Sequence, residues 1–183
     1  MKRSMDLRLA TFDDIPSIAE LIEQSVMHLQ QQEYTLEQRR GALGTVFGVD
    51  RMLIADGTYF VVAGTDGSLA ACGGWSKRRT LFGSDNAPEK NDSWLDPRVD
   101  AARIRAFFVH PNWARRGLGS RILEACEAAA QNAGFTRLEL GATLTGIPLY
   151  TRYGFQPIER VEVPLASGHS IPIVRMGKTL TTS

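Results

Sequence analysis

The stretch that decides the fold runs from Phe107 to Ser120 and reads FFVHPNWARRGLGS. It opens in the tail of a β-like run, Ala102 to His110 (ARIRAFFVH), which Pro111 ends by withholding a backbone N–H. It closes in a helix whose apolar residues recur at helical spacing. Leu118, Ile122, Ala125, Cys126, Ala129 and Ala133 are its expected buried stripe and Gly134 its stop. Between strand and helix lies Arg115-Arg116-Gly117-Leu118-Gly119-Ser120. The first N–H groups of a helix have no intrahelical partner and point outward, so such a turn is an anion site that the helix dipole favours. Glycine suits it because a side chain would hold a phosphate off the backbone. Gly117 and Gly119 are placed for a pyrophosphate, and Arg115 and Arg116 add positive charge beside it.

Downstream of this unit, Thr136 to Leu140 (TRLEL) reads as the next strand, and residues 146–153 as a short helical segment closed by Gly154-Phe155. Ile158 to Leu165 and Ile171 to Met176 form a hairpin around Ser167-Gly168-His169-Ser170. Upstream, Tyr59 to Ala63 and Ser68 to Trp75 flank Gly64-Thr65-Asp66-Gly67, a hairpin signal because Asp-Gly tolerates positive φ. Residues 6–11 alternate as a strand does. Asp13 or Asp14 then caps a helix with Pro16 in its first turn and Ile15, Ile18, Leu21, Ile22 and Val26 on one face. A weaker helical stretch spans about Thr35 to Phe47, with Gly41 and Gly44 against its far end. From Lys77-Arg78-Arg79 to Asp100 the chain is polar and too long for an idle connection; it reads as a binding loop or lid, or else as disorder or a plain loop insertion. The order is mixed α/β, with antiparallel hairpins around a central strand-helix-strand unit.

At 183 residues the chain, 1–183, fits one domain, since domains run to about 100–200 residues. With 43% hydrophobic and 22% charged residues it is neither disordered nor collagen-like. Basic and acidic residues nearly cancel, 21 against 20, without the basic excess of proteins that live on a nucleic-acid backbone. An anionic ligand must therefore be caught by local geometry. Cys72 and Cys126 each sit in apolar sequence and read as buried thiols in a reducing cytosol. No apolar run of signal-peptide length follows the basic start Met1-Lys2-Arg3, and none reaches the roughly 18 residues of a membrane span. The expected setting is cytoplasmic, with neither membrane nor nucleic acid as partner. His28, His110 and His169 are scattered and no CxxC occurs, so no metal is expected.

A bare Gly-x-Gly is weak evidence, so rival phosphate motifs need testing. The dinucleotide fingerprint requires a glycine or alanine where Ile122 stands, and Glu139, at about the spacing of its ribose-binding acid, lies inside a strand and not at its end. The one Gly-Lys-Thr, at Gly177 to Thr179, has Pro172 in place of the first P-loop glycine and no helix after it. No Gly-x-Ser-x-Gly elbow occurs. The segment Phe107 to Ser120 instead resembles the acyl-CoA-binding motif of the GNAT superfamily of N-acetyltransferases, Gln/Arg-x-x-Gly-x-Gly/Ala. About 30 residues on, Leu149-Tyr150-Thr151-Arg152-Tyr153-Gly154-Phe155 resembles the family's Leu/Phe-Tyr-x-x-x-Gly-Phe segment. The order of elements across nearly the whole chain also resembles that fold, a central mixed, mostly antiparallel sheet flanked by helices. One position departs. Aligned on Gly117 and Gly119, the family's Gln or Arg falls on Ala114, leaving the pyrophosphate mostly to main-chain N–H groups.

The resemblance implies transfer of an acyl group, usually acetyl, from acetyl-CoA as co-substrate directly to a primary amine of a small molecule or protein. It places the backbone of Phe107, Phe108 and Val109 along the thioester and pantetheine arm. Arg115, Arg116, Gly117, Leu118, Gly119 and Ser120 fall at the pyrophosphate, and Tyr150 at the leaving thiolate as general acid. A phenol of pKa about 10 beside a thiol of about 8.5 can donate a proton or a strong hydrogen bond as charge develops on sulfur. A homodimer is a family-level expectation. No base is evident: the central strand carries Arg103 and Arg105 but no acid, leaving Asp96, Asp100, Glu139 or His110, or an amine that arrives deprotonated. Trp75 and the 79–100 segment are the expected acceptor side, while Arg78 and Arg79 read as solvated and Tyr153 as structural. Residues 80–100 hold five acids against Lys90 and Arg98, a net of −3 that would welcome a cationic acceptor. The rival reading is a non-catalytic acyl-CoA-binding or sensing module that kept the glycine turn.

Overall fold

The computed structural model describes residues 5–181; Met1 to Ser4, the start of the basic N-terminal stretch, lie outside them. Among the described residues there are five α-helices: α1 (Ile15–Leu29), α2 (Leu36–Ala42), α3 (Arg51–Ala55), α4 (Leu118–Asn132) and α5 (Ile147–Arg152). Seven strands form one sheet: β1 (Leu7–Leu9), β2 (Tyr59–Ala63), β3 (Leu69–Ser76), β4 (Ala102–Val109), β5 (Arg137–Thr143), β6 (Gln156–Pro164) and β7 (Ser170–Thr179). Their order is β1-β2-β3-β4-β5-β7-β6, and every neighbouring pair is antiparallel except β4 and β5. The expected mixed, mostly antiparallel sheet flanked by helices is thus present.

Both faces of the middle of the sheet are covered, and successive strand residues point alternately into the two layers. Val62, Ala71, Ala102 and Ile104 pack with Leu118, Ile122, Leu123, Cys126 and Ala130 of α4. Val61, Cys72 and Phe108 pack with Ile18, Leu21, Ile22 and Val26 of α1. Double coverage leaves β3 buried along its whole length, so it reads as a continuous apolar run. The buried stripe of α4 differs from the expected one. Leu123 and Ala130 are in it, Ala125 and Ala129 are half-buried, and Ala133 is exposed. Leucine has more surface to hide than alanine, so Leu123 sets which way the helix turns. The expected second helix ends at Ala42, capped at its start by Thr35 and Gln38 (3.1 and 2.9 Å), and the chain turns through Gly44 at φ 88°. Helix α3, five residues long, gives no periodic signal in the sequence.

Two irregularities in β4 shape the site. Cys72 pairs with Phe108 and Gly74 with Arg105, so Gly73 alone faces both Ala106 and Phe107, a β-bulge. Ala106 adopts φ 55°, a left-handed conformation costing a non-glycine residue of order 1 kcal/mol or more. The Tyr59 hydroxyl donates to the Ala106 carbonyl (2.9 Å), and Gly73 leaves room for the Phe107 ring, which would lie 2.7 Å from a Cβ there. The extra residue switches faces: Ala102 and Ile104 point toward α4 before the bulge, Phe107 and Val109 after it. The second irregularity is a split. The parallel strands β4 and β5 pair only at Ala102 with Leu138 and Arg103 with Glu139. Beyond that point β5 follows β7 up to Thr143, and Tyr34 ties the far end by donating to the Pro172 carbonyl and accepting from the Leu144 N–H, both 2.8 Å.

Candidate active site

On the α4 side, the helix starts at a left-handed Gly117 (φ 78°) with no side chain capping it. The first bond into the helix runs from the Arg121 N–H to the Gly117 carbonyl (3.1 Å), so the N–H groups of Leu118, Gly119 and Ser120 stay open. A Cβ on Gly117 would meet no protein atom within 4 Å, so glycine is needed there for its backbone and leaves open space above it. A Cβ on Gly119 would come 3.2 Å from Leu149, so this glycine lets α4 approach α5. Arg115, itself left-handed at φ 60°, and Arg116 are both exposed, and the Arg116 guanidinium lies 4.8 Å from the Trp113 ring centre. An uncapped helix start flanked by two exposed arginines fits a pyrophosphate.

Between the diverging strands lies a cavity of about 60 Å³. Phe107, Phe108 and Ala106 bound it on β4, Gly141 and Thr143 on β5, and Tyr150 on α5. Tyr150 is buried, its ring edge-on to Phe107 (6.2 Å) and Phe155 (5.8 Å). Burial pushes its phenol well above the ordinary tyrosine range, with the buried Cys126 a second, smaller cause. The proton therefore stays on the phenol, so the hydroxyl is better suited to donating a hydrogen bond than to giving up its proton. Val109 lies outside the cavity wall, packed toward α4. Tyr153 donates from its hydroxyl to Glu124 (2.7 Å).

The segment 79–100 covers the opposite mouth as an ordered strap. Thr80 and Asn91 bond each other three times at 2.9 Å, and Ser84 and Asp85 donate through their N–H groups to the carbonyls of Thr45 (2.7 Å) and Val49 (3.0 Å). Phe82 from this strap reaches β5, where its ring would lie 2.9 Å from a Cβ on Gly141. Arg78 is not solvated: it holds Asp56 with two bonds (2.7 and 2.9 Å) and stacks 3.7 Å from the Trp94 ring centre. Trp75 is buried against Phe135 in the α4-side core and does not reach the cavity.

None of the four candidate bases lines the cavity. Glu139 is held between Arg103 (3.0 Å) and Arg175 (2.9 Å), Asp96 by Arg98 (2.8 Å), and Asp100 by Arg79 (3.5 Å) and the Asp96 N–H (2.8 Å). His110 caps the turn after β4 by accepting the Asn112 N–H on Nδ1 (3.1 Å). Sequence reasoning passed over Arg105, the one charged side chain in the cavity wall. It is 3% exposed and bonds Asp50 (2.8 Å) and the strap carbonyls of Gly83 (2.7 Å) and Thr80 (3.2 Å). Lys90 of the strap reaches the same Asp50 oxygen (3.2 Å). Strand alternation reads Arg105 as outward-facing; only the coverage of that face by α1 and the strap buries it. Among the described residues, no group of three or more His, Cys, Asp or Glu is placed to hold a metal ion, and no helix is long and apolar enough to cross a membrane. Both cysteines are buried free thiols, Cys72 pushed up to about 12 by that burial.

A glycine-opened helix with free N–H groups thus lies beside a split between parallel strands that holds a tyrosine. The family model described as acetyltransferase (GNAT) family matches residues 23–155, and the chain belongs to that family. No curated protein sequence matches it. Among solved structures it is similar to a GCN5-related N-acetyltransferase from Rhodopseudomonas palustris, at TM-score 0.70 and 19% identity over 98% of both chains. It is also similar to PaiA N-acetyltransferase from Thermoplasma acidophilum in complex with coenzyme A (TM-score 0.62, 12% identity, 96% of this chain and 99% of that one). A third is yncA from Salmonella typhimurium with its cofactor acetyl-CoA (TM-score 0.63, 17% identity, 98% and 96%). At these identities the likeness is one of fold.

Proposed function

We propose that this protein transfers the acetyl group of acetyl-CoA directly to a primary amine. The observation that carries the reading is the alignment of three parts around one split: the uncapped start of α4, the bulged edge of β4, and Tyr150. In this reading the main-chain N–H groups of Gly117, Leu118, Gly119 and Ser120 hold the pyrophosphate, with Arg115 and Arg116 beside it. The backbone of Phe107, Phe108 and Val109 takes the pantetheine arm, standing in for the strand that β5 does not supply. The amine nitrogen attacks the thioester carbon, the C–N bond forms, and the C–S bond breaks with its electron pair going to sulfur. Main-chain N–H groups at the bulge stabilise the carbonyl oxygen as it gains charge, and the Tyr150 hydroxyl hydrogen-bonds the thiolate. The attacking amine must be neutral, and with no carboxylate or imidazole in the cavity wall its proton leaves through water.

That same lack of a base in the wall favours a second reading, a non-catalytic acyl-CoA-binding module. Mixing the purified protein with acetyl-CoA and a panel of amines, and following thiol release, separates the two. Turnover with any amine above the uncatalysed rate supports transfer; tight CoA binding with no thiol release across the panel supports the binding module.

A further inference from the structure

The cavity has an unbalanced wall. Of the side chains that line it only Arg105 is charged, and the rest of the lining, including Phe47, Leu81, Phe82 and Ile173, is largely apolar. Behind the wall, Arg105 and Lys90 share the single carboxylate of Asp50, with side-chain exposures of 2%, 14% and 2%. Two cations and one anion leave a net of +1 in a nearly dry place. Such a charge is costly unless an anion meets it. The guanidinium is also incompletely bonded: its Nε has no hydrogen-bond partner. A buried donor on a charged group is rarely left so, because its desolvation goes uncompensated.

The acids that recommended a cationic acceptor do not reach the site. Asp85, Glu89, Asp92, Asp96 and Asp100 are all absent from the cavity wall, and Asp85, Asp96 and Asp100 are paired with Arg51, Arg98 and Arg79. Judged by its own wall, the cavity repels an ammonium ion and attracts an anion.

Resting on the transfer reading above, we propose that the acceptor is an apolar amino-carboxylate, an α-amino acid or a close analogue, whose carboxylate is met by Arg105. A single planar carboxylate matches the net +1 and the guanidinium fork, where a phosphate would bring more than one negative charge. The carboxylate meets the terminal guanidinium nitrogens, with the Thr80 and Gly83 carbonyls moving aside. That exchange replaces neutral acceptors on a guanidinium with a charged one, a stronger bond. With Arg105 one residue before the bulge, the carboxylate end is anchored beside the thioester and the apolar side chain faces the aromatic wall.

The test uses matched acceptors that differ only in the carboxylate: phenylalanine against phenylethylamine, and leucine against isoamylamine, with phenylalaninamide as the uncharged control. Thiol release from acetyl-CoA is measured as kcat/KM. The carboxylate member of each pair is expected to lead by about tenfold or more. In Arg105→Met, which leaves Lys90 and Asp50 as a neutral pair, that ratio falls toward one through a rise in KM; in Arg105→Lys part of it returns. Should Arg105→Met fail to fold, the wild-type ratios and the lysine variant still decide. Equal rates within the pairs, or a lead for the decarboxylated amines, overturn the inference while leaving acetyl transfer standing. No thiol release from any of these, beside turnover of another amine in the wider panel, overturns this inference alone; no thiol release from any amine at all sinks the transfer reading with it.

Discussion

The two sides of the β4–β5 split are assembled differently. The side assigned to the cofactor runs from Phe107 to Ser120 as one contiguous stretch, while the opposite side gathers Phe47 and Asp50, Phe82 and Lys90 of the strap, and Arg105 from β4. The contiguous side owes its geometry to local rules: a proline ends the strand, a left-handed glycine opens the helix, and free N–H groups come next. The assembled side exists only once α1, the strap and the sheet have packed. A motif can specify the first; only tertiary contact can build the second.

Several changes probe that contrast. Tyr150→Phe acts where the two sides meet and, in the proposed reaction, should lower kcat by about 100-fold while leaving CoA affinity within a few-fold, since it would remove the hydrogen bond to the leaving sulfur. Steady-state rates beside CoA titration check it, and an unchanged kcat would take Tyr150 out of the chemistry. With no carboxylate or imidazole among the described residues of the cavity wall, kcat/KM should climb about tenfold per pH unit below the acceptor's amine pKa, because only the neutral amine reacts. An additional inflection between pH 6 and 7 that persists when the acceptor is changed would reveal a base on the protein.

On the contiguous side alone, Gly117→Val puts a β-branched residue at φ 78° and should weaken CoA binding by about tenfold, matching the 1–2 kcal/mol of left-handed strain. CoA titration by calorimetry reads it, and an affinity equal to wild type would remove Gly117 from the cradle. Tyr59→Phe deletes the bond to the Ala106 carbonyl and should cost about 1–3 kcal/mol of stability. If the bulge positions the oxyanion, kcat falls a few-fold further than CoA affinity does; a purely structural role would lower the melting temperature and spare kcat. The smallest effect lies outside both sides. Arg8 holds Asp14 at 2.7 Å and lowers its carboxyl to about 2. Because the folded value lies below the unfolded one, the pair stabilises the fold above about pH 4, and that stability is lost as pH falls toward 2. Asp14→Asn should therefore cost about 1 kcal/mol near neutral pH, converge with wild type in acid, and leave kcat alone.

The same contrast explains what the sequence disclosed. Strand β4, the turn at Gly117, helix α4 and the Tyr150 segment were legible because each rests on periodicity or on a φ that only certain residues take easily. The 79–100 strap read equally well as a lid or as an insertion, since its order comes from Ser84, Asp85 and Phe82 touching residues distant in the chain. Arg105 was hidden by parity: on a strand taken to have one wet face, Ile104 points in and its neighbour out. The bulge at Ala106 was equally silent, because alanine carries no sign of a left-handed turn. Trp75 misled for the opposite reason, as an aromatic beside a polar loop that in fact fills the core.

The split itself has a thermodynamic consequence. A sheet whose middle strands part company after two residue pairs leaves inside the protein a seam of main-chain groups that ordinary sheet hydrogen bonds would close. A ligand that lines this seam is a missing piece of the fold as much as a reactant. Anything that binds the folded state alone adds RT ln(1 + [L]/Kd) to its stability, about 2.7 kcal/mol at a hundredfold excess over Kd. The lifetime of this protein would then track the supply of its cofactor, with the unliganded chain the first to unfold.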